Sequence, residues 1–210
     1  MAINNKVGAL IDLWEKRNIV SEFLNNKEEA VKRILDIVPE SSSVGFCGSQ
    51  TLDQMGIIHL LEARKNKVFN QYRNGISREQ SLELRNLGAG ADYFLTSVNS
   101  ISLSGELIFF SGWGHRIAGI SNAKNVIVVS GINKVTGSLD EALKRAREYS
   151  TPLNCKRLNW NSACLSDGIC RKDICQLPEY KRMCCQVLII EAEVIRDRLK
   201  VLLINKTLGY

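Results

Sequence analysis

The apolar positions of this chain change their period as it runs. Val7, Leu10, Ile11, Leu13 and Trp14 recur at helical spacing behind Asn4 and Asn5, either of which can cap a first helix. Ala30, Val31, Ile34, Leu35 and Val38 predict a second helix over residues 27–38, stopped by Pro39. Residues 43–46 then read as a strand entering a Gly- and Ser-containing turn, with a helix expected over 52–64. Beyond it, strands at 67–70, 92–96, 106–110 and 125–130 are interspersed with a helix at 77–87 that has Ser77 at its N-cap. The 125–130 segment is almost purely β-branched, as suits a strand buried on both faces. Ser138-Leu139-Asp140-Glu141 has the form of a capping box and opens a helix to about residue 149. Strands at 186–190 and 199–204 close the pattern, separated by the charged turn Arg196-Asp197-Arg198. This alternation predicts one α/β domain with a largely parallel sheet and no internal repeat.

Residues 152–185 break the pattern. They hold no sustained period, contain the turn formers Asn154, Asn161, Asp167-Gly168 and Pro178, and exceed the usual length of a structureless loop. Six of the seven cysteines fall here. The first twenty residues are interrupted by Lys6, Asp12, Glu15, Lys16 and Arg17, so no secretory signal is read and a cytoplasmic protein is expected. An odd cysteine count in that setting favours metal ligands or redox groups over a disulfide framework.

From Cys164 the spacing is C-x5-C-x4-C-x8-C, which makes Cys164, Cys170, Cys175 and Cys184 the expected ligand set. Four thiolates suit an iron–sulfur cluster, [4Fe–4S] foremost, or tetrahedral zinc. The spacing does not name the metal, and Cys155 and Cys185 are spare thiols able to replace one of the four. Six basic residues against three acidic ones lie between Cys155 and Cys185 and would offset thiolate charge. The plainer reading is a set of free, partly buried cysteines behaving as small hydrophobes.

Charge alters the picture little. The net charge is +6, with 18 Lys+Arg against 16 Asp+Glu in residues 1–150 and 10 against 6 in residues 151–210. No basic stripe interleaves with aromatics, so nucleic acid is not an expected partner. Apolar runs such as Val126-Ile127-Val128-Val129 are far too short to span a bilayer.

Two loops carry further chemistry. In Val44-Gly45-Phe46-Cys47-Gly48-Ser49-Gln50-Thr51, glycines permit close backbone approach and the hydroxyls of Ser49 and Thr51 stand where a helix begins, an arrangement suited to a phosphate or carboxylate. The alternative is a tight βα turn with Ser49 as N-cap. In Phe110-Ser111-Gly112-Trp113-Gly114-His115-Arg116, the Arg116 guanidinium can bind an anion and His115 can move protons near neutral pH; the alternative is a solvated turn covered by Trp113. His59 reads as a helix-boundary histidine.

Taken in order, these segments resemble the lactate-utilisation (LUD) domain family. Its Val-Gly-x-Gly-Gly-Ser-x-Thr turn is matched by Val44-Gly45 and Gly48-Ser49-Gln50-Thr51, and its Gly-Ala-Asp-x-Phe-Leu-Thr strand by Gly90–Thr96. Asn99-Ser100-Ile101 follows, then the Gly-x-Gly-x-Arg loop at Gly112–Arg116 and a strand ending at Asn133-Lys134. Departures are Cys47 in place of a glycine, His115 in place of the usual Asn, Ser104 and Ser111 where Asp is common, and a longer second cysteine interval. The resemblance implies a three-layer, Rossmann-like, mostly parallel sheet similar to ribose-phosphate isomerases and CoA-transferases. It also implies a place in an iron–sulfur system oxidising L-lactate to pyruvate.

Two functions follow as expectations. In the first, the chain is a component of a 2-hydroxy-acid oxidation system, with a cluster on the four cysteines and partner subunits that complete the chemistry. Gly45, Gly48, Ser49, Thr51, Asn99, Gly112, Gly114 and Arg116 would then hold an anionic small molecule, and His115 would handle protons. In the second, the chain is an enzyme on a phosphorylated sugar or acyl-CoA, with zinc stapling the loop and Glu106 as base or nucleophile. A regulatory or assembly subunit without turnover is the third option.

Overall fold

The computed structural model describes residues 2–210, with side chains from residue 5 onward. In chain order the elements are α1 (Ala2–Lys16), β1 (Val20–Leu24), α2 (Lys27–Ile37), β2 (Ser43–Phe46), α3 (Gln50–Met55), α4 (Ile57–Ala63), β3 (Lys67–Val68) and α5 (Arg78–Ala89). Next come β4 (Tyr93–Thr96), β5 (Ser100–Ser102), β6 (Leu107–Ser111), α6 (His115–Asn122), β7 (Asn125–Gly131) and β8 (Val135–Thr136). The chain closes with α7 (Leu139–Arg145), α8 (Thr151–Arg157), β9 (Gln186–Ile190) and β10 (Leu199–Ile204). It divides into two compact units: residues up to Ser97 with His115–Asn133 and Ala192–Gly209, and Val98–Gly114 with Lys134–Glu191 and Tyr210.

The first unit is a three-layer α/β structure. Its sheet has six strands in the order β1-β10-β7-β4-β2-β3, and every pair is parallel. One face buries Val44, Phe46, Leu95, Ile127, Val129, Leu202 and Ile204 against Ala30, Ile34 and Val38 of the α2 segment and Leu52, Met55, Ile57, Ile58 and Leu61 of α3 and α4. The opposite face carries α5 and α6, with Gly88 of α5 on Gly45 of β2 and Gly119 of α6 on the Phe94 ring. Both faces of β7 are covered, which is why Val126–Val129 is wholly apolar.

The second unit is built on a four-stranded sheet ordered β8-β5-β6-β9, in which β5–β6 and β6–β9 are antiparallel. Ile108 and Phe110 of β6 pack with Ala142, Ala146 and Cys184. The α/β fold with a largely parallel sheet is thus as expected in the first unit, while β6 and β9 pair with each other through Leu107–Ser111 and Gln186–Ile190 in a second sheet.

Several local expectations shift for physical reasons. Asn4 and Asn5 lie inside α1 and do not cap it, since the helix begins at Ala2. The helix expected over 52–64 is two helices, because Gly56 takes the left-handed conformation (φ +64°) and ends α3 before α4 starts. The Ser138 hydroxyl caps α7 by accepting from Glu141 N, but the Glu141 carboxylate accepts from Gly137 N, so the box is not reciprocal. Ser77 and Gln80 do form a reciprocal box on α5. The helix expected to end near residue 149 continues through a π-helical turn, Ala146–Ser150, into α8. Pro152 follows this π-helical turn, and the irregular stretch starts at residue 158.

Candidate functional sites

In the first unit a polar network crosses the carboxyl ends of β2, β4 and β7, the usual ligand edge of a parallel α/β sheet. Ser49 caps α3, its Oγ accepting from Leu52 N at 3.3 Å. Thr51 Oγ1 donates to Leu208 O at 3.4 Å and accepts from Ser97 Oγ at 3.2 Å. Asn133 Oδ1 accepts from Leu208 N at 3.1 Å, which ties the C-terminal segment to the end of β7. The Cys47 thiol, 3% exposed, lies 3.1 Å from Thr96 Oγ1.

Arg116, in the first turn of α6, folds onto this turn. Its Nε donates to Cys47 Sγ at 3.2 Å and its Nη2 to Gly48 O at 3.0 Å. Gly45 is explained by packing: a Cβ there would lie 2.0 Å from Gly88 O, so the position is the contact between β2 and α5. His115 opens α6, and burial, reinforced by the cations Arg85 and Arg116, holds its pKa down at about 4. At pH 7 this imidazole is therefore neutral.

The second unit holds the remaining candidates. Asn99 Oδ1 accepts from Phe110 N at 2.8 Å, while its carbonyl accepts from Arg145 Nη1 at 2.7 Å and Ser150 Oγ at 3.2 Å. It ties β5, β6 and the helix after α7 together. Glu106 sits at the other end of the β5–β6 hairpin, its Oε2 accepting from Ser104 Oγ at 2.8 Å. Gly112 and Gly114 belong to a turn closed by Gly114 N donating to Ser111 Oγ at 3.0 Å, and Trp113 meets Trp160 edge to face.

The cysteines converge. Cys155, Cys164, Cys170, Cys175 and Cys184 line one cavity, together with Arg147, Arg171, Lys172 and Arg182. Cys155 comes from α8 and is fully buried; burial and the neighbouring thiols of Cys164 and Cys184 push its own thiol up to about 12. Arg182 Nε donates to Cys184 Sγ at 3.3 Å, and Ser162 Oγ lies 3.3 Å from Cys164 Sγ. Of the two spare thiols only Cys155 faces the cavity. Cys185 is exposed, its Sγ donating to Arg182 O at 2.9 Å.

Among the described residues no group of three or more His, Cys, Asp or Glu side chains is placed to hold a metal ion. The donor chemistry does fit: five thiols, flanking cations, and a buried Arg147 Nε without a hydrogen-bond partner, surround one cavity. A loop of this length closing on such a set would have to draw the sulfurs together on binding.

Sequence reasoning singles out the cysteine set, the glycine turn and Arg116. It missed Thr96, Ser97 and Asn133, whose polar groups gain meaning only where strand ends meet. It also missed Arg85, a helix residue with no motif around it.

Comparison with known proteins bears on both units. A family model for the LUD domain matches residues 9–204. The fold is similar to a crystal structure of a DUF162 family protein from Deinococcus radiodurans, with a TM-score of 0.55 at 11% identity over 96% of this chain and 98% of that one. Ribose 5-phosphate isomerase A from Neisseria gonorrhoeae also matches, with a TM-score of 0.34 and 16% identity over 54% of each chain. No curated protein matches the sequence. Among the described residues no helix is long and apolar enough to cross a membrane.

Proposed function

The chain belongs to the LUD domain family, and from that premise we propose that this lactate-utilisation-type protein is an electron-transfer component of a 2-hydroxy-acid oxidation system. In this reading Cys164, Cys170, Cys175 and Cys184 hold an iron–sulfur cluster and the first unit takes an anionic small molecule. The observation that carries it is the cavity lined by five thiols and four cationic side chains. A cluster, when bound, supplies one-electron transfer at a potential set by its surroundings. Oxidation of a 2-hydroxy acid to the 2-oxo acid releases two electrons and two protons, so partner subunits must supply the centre that accepts the pair.

The chain's own residues have definable tasks. The thiolates ligate, Arg182 holds Cys184 by its Nε–H, and Ser162 orients Cys164. Arg147, Arg171 and Lys172 offset the negative charge that four thiolates bring.

A second reading rests on the same thiols, since four of them also suit one tetrahedral zinc ion. Zinc there would staple residues 158–185, and Glu106 would become the candidate base of an enzyme on a phosphorylated sugar or acyl-CoA.

Anaerobic purification with iron, acid-labile sulfide and zinc measured per chain separates the two. Iron with matching sulfide and a brown colour supports the cluster. Stoichiometric zinc without colour supports the staple. A metal-free protein with all cavity thiols open to alkylation overturns both.

A further inference from the structure

Helix α5 lies against β2 so tightly that Gly88 and Gly45 touch. Arg85 stands three residues before Gly88 and so on the same helix face, displaced toward the helix N-terminus. In a parallel α/β layer that end of the helix lies beside the carboxyl ends of the strands, here the Cys47-Gly48 turn. The electrostatic neighbours agree. The Tyr72 hydroxyl is hydrogen-bonded to the Gly48 backbone and the Gln71 side chain and feels the charges of the Cys47 thiol and the Arg85 guanidinium, while His115 feels those of Arg85 and Arg116.

Two features of this cluster ask for an anion. The buried Arg85 Nε has no hydrogen-bond partner, which is costly for a charge-bearing donor. The charged groups acting on His115 are the guanidiniums of Arg85 and Arg116. Arg116 already braces the turn through Cys47 and Gly48, whereas Arg85 makes no such brace through its Nε.

We propose that Arg85, with Tyr72 and His115, forms an oxyanion-binding site beside the Cys47-Gly48 turn, taking the phosphate or carboxylate group of a small molecule. This deepens the reading that the first unit takes an anionic ligand, and moves recognition from the glycine turn to the helix face opposite it. It does not depend on what the cysteine cavity holds. Arg85 supplies the charge, Tyr72 a hydroxyl donor, and neutral His115 a ring N–H.

The chain has two histidines, which makes the test direct. The full chain is titrated with sodium phosphate and, separately, with sodium L-lactate, at ionic strength held constant with chloride, while imidazole NMR signals are followed. The expected result is a saturable shift of the His115 signal, with exposed His59 unmoved, and an upward move of the His115 titration midpoint by at least one pH unit at saturation. Saturation by phosphate alone assigns a phosphate ligand and saturation by lactate alone a carboxylate; either supports the site. Arg85→Met should weaken binding at least ten-fold, and Arg85→Lys should recover part of it. Wild-type protein that shows only a non-saturable response to both anions overturns the proposal, and so does folded Arg85→Met that binds within two-fold of wild type. Should Arg85→Met not fold, Tyr72→Phe is the second variant: a loss of at least three-fold supports the site and unchanged binding overturns it. Metal content measured on the same samples shows separately whether the cysteine reading stands.

Discussion

A Cβ on Gly45 would lie 2.0 Å from the carbonyl oxygen of Gly88, so these two glycines set the distance between β2 and α5. The two positions are not equivalent. A Cβ on Gly88 would instead meet Gly45 Cα at 3.3 Å and Phe69 Cβ at 3.4 Å, distances that small adjustments relieve.

Gly45→Ala should therefore cost about 3 kcal/mol or more, lowering Tm by roughly 10 °C, because helix and strand must separate. Gly88→Ala should cost less than about 1.5 kcal/mol, helped by alanine's better helix propensity. Thermal unfolding of the two variants side by side checks the order; equal losses would mean that the contact is not what limits the packing.

Asp92 predicts acid sensitivity. Its Oδ2 accepts from Ser43 N at 2.9 Å and Ser43 Oγ at 2.6 Å, and its Oδ1 from Lys124 Nζ at 2.6 Å. These donors, Lys124 first, hold its pKa far below the ordinary carboxylate range. The unfolded chain then binds the proton first as pH falls, so this stabilisation is complete above about pH 4 and declines steadily below it. Asp92→Asn should be less stable than wild type at pH 7, with the gap narrowed but still open at pH 3, as urea titrations at both pH values would show.

His115 acts on a different window. Burial lowers its pKa to about 4 in the folded protein against about 6.5 unfolded, so the unfolded state takes up the proton first between those values. Stability should fall as pH drops from about 6.5 toward 4 and level off beneath. His115→Gln should flatten that slope, and a slope unchanged by the substitution would place the effect elsewhere.

The cavity distinguishes the cysteines. Cys185→Ser should retain the wild-type metal content, since its thiol faces away and bonds Arg182 O. Cys175→Ser should lose most of it, since Cys175 lines the cavity and is buried. Metal per chain after identical anaerobic preparations is the measurement.

Much of the fold was legible because short-range patterns carry it. The β-branched run Val126–Val129 announced a doubly buried strand, and Ser77, Ser138 and Pro39 marked helix boundaries, since these effects act over a few residues. The edge strand β1 was missed because all five of its residues are half-buried and show no alternation. Helix α6 was missed because eight residues beginning within a glycine-rich loop show too little period to read.

By itself the sequence determined the α/β class, the family motifs, the cysteine spacing and the glycine turn. Each is a property of residue type and separation along the chain. Only the tertiary structure decided that β6 and β9 form a second sheet, since pairing partners 75 or more residues apart leave no local trace. It also decided that Cys155, not Cys185, joins the cavity: α8 turns one thiol inward, while the other points at a backbone carbonyl. Arg85 belongs to the same class. That it acts on both Tyr72 and His115 depends on α5 meeting β2 through two glycines, and spacing along one chain does not encode that contact.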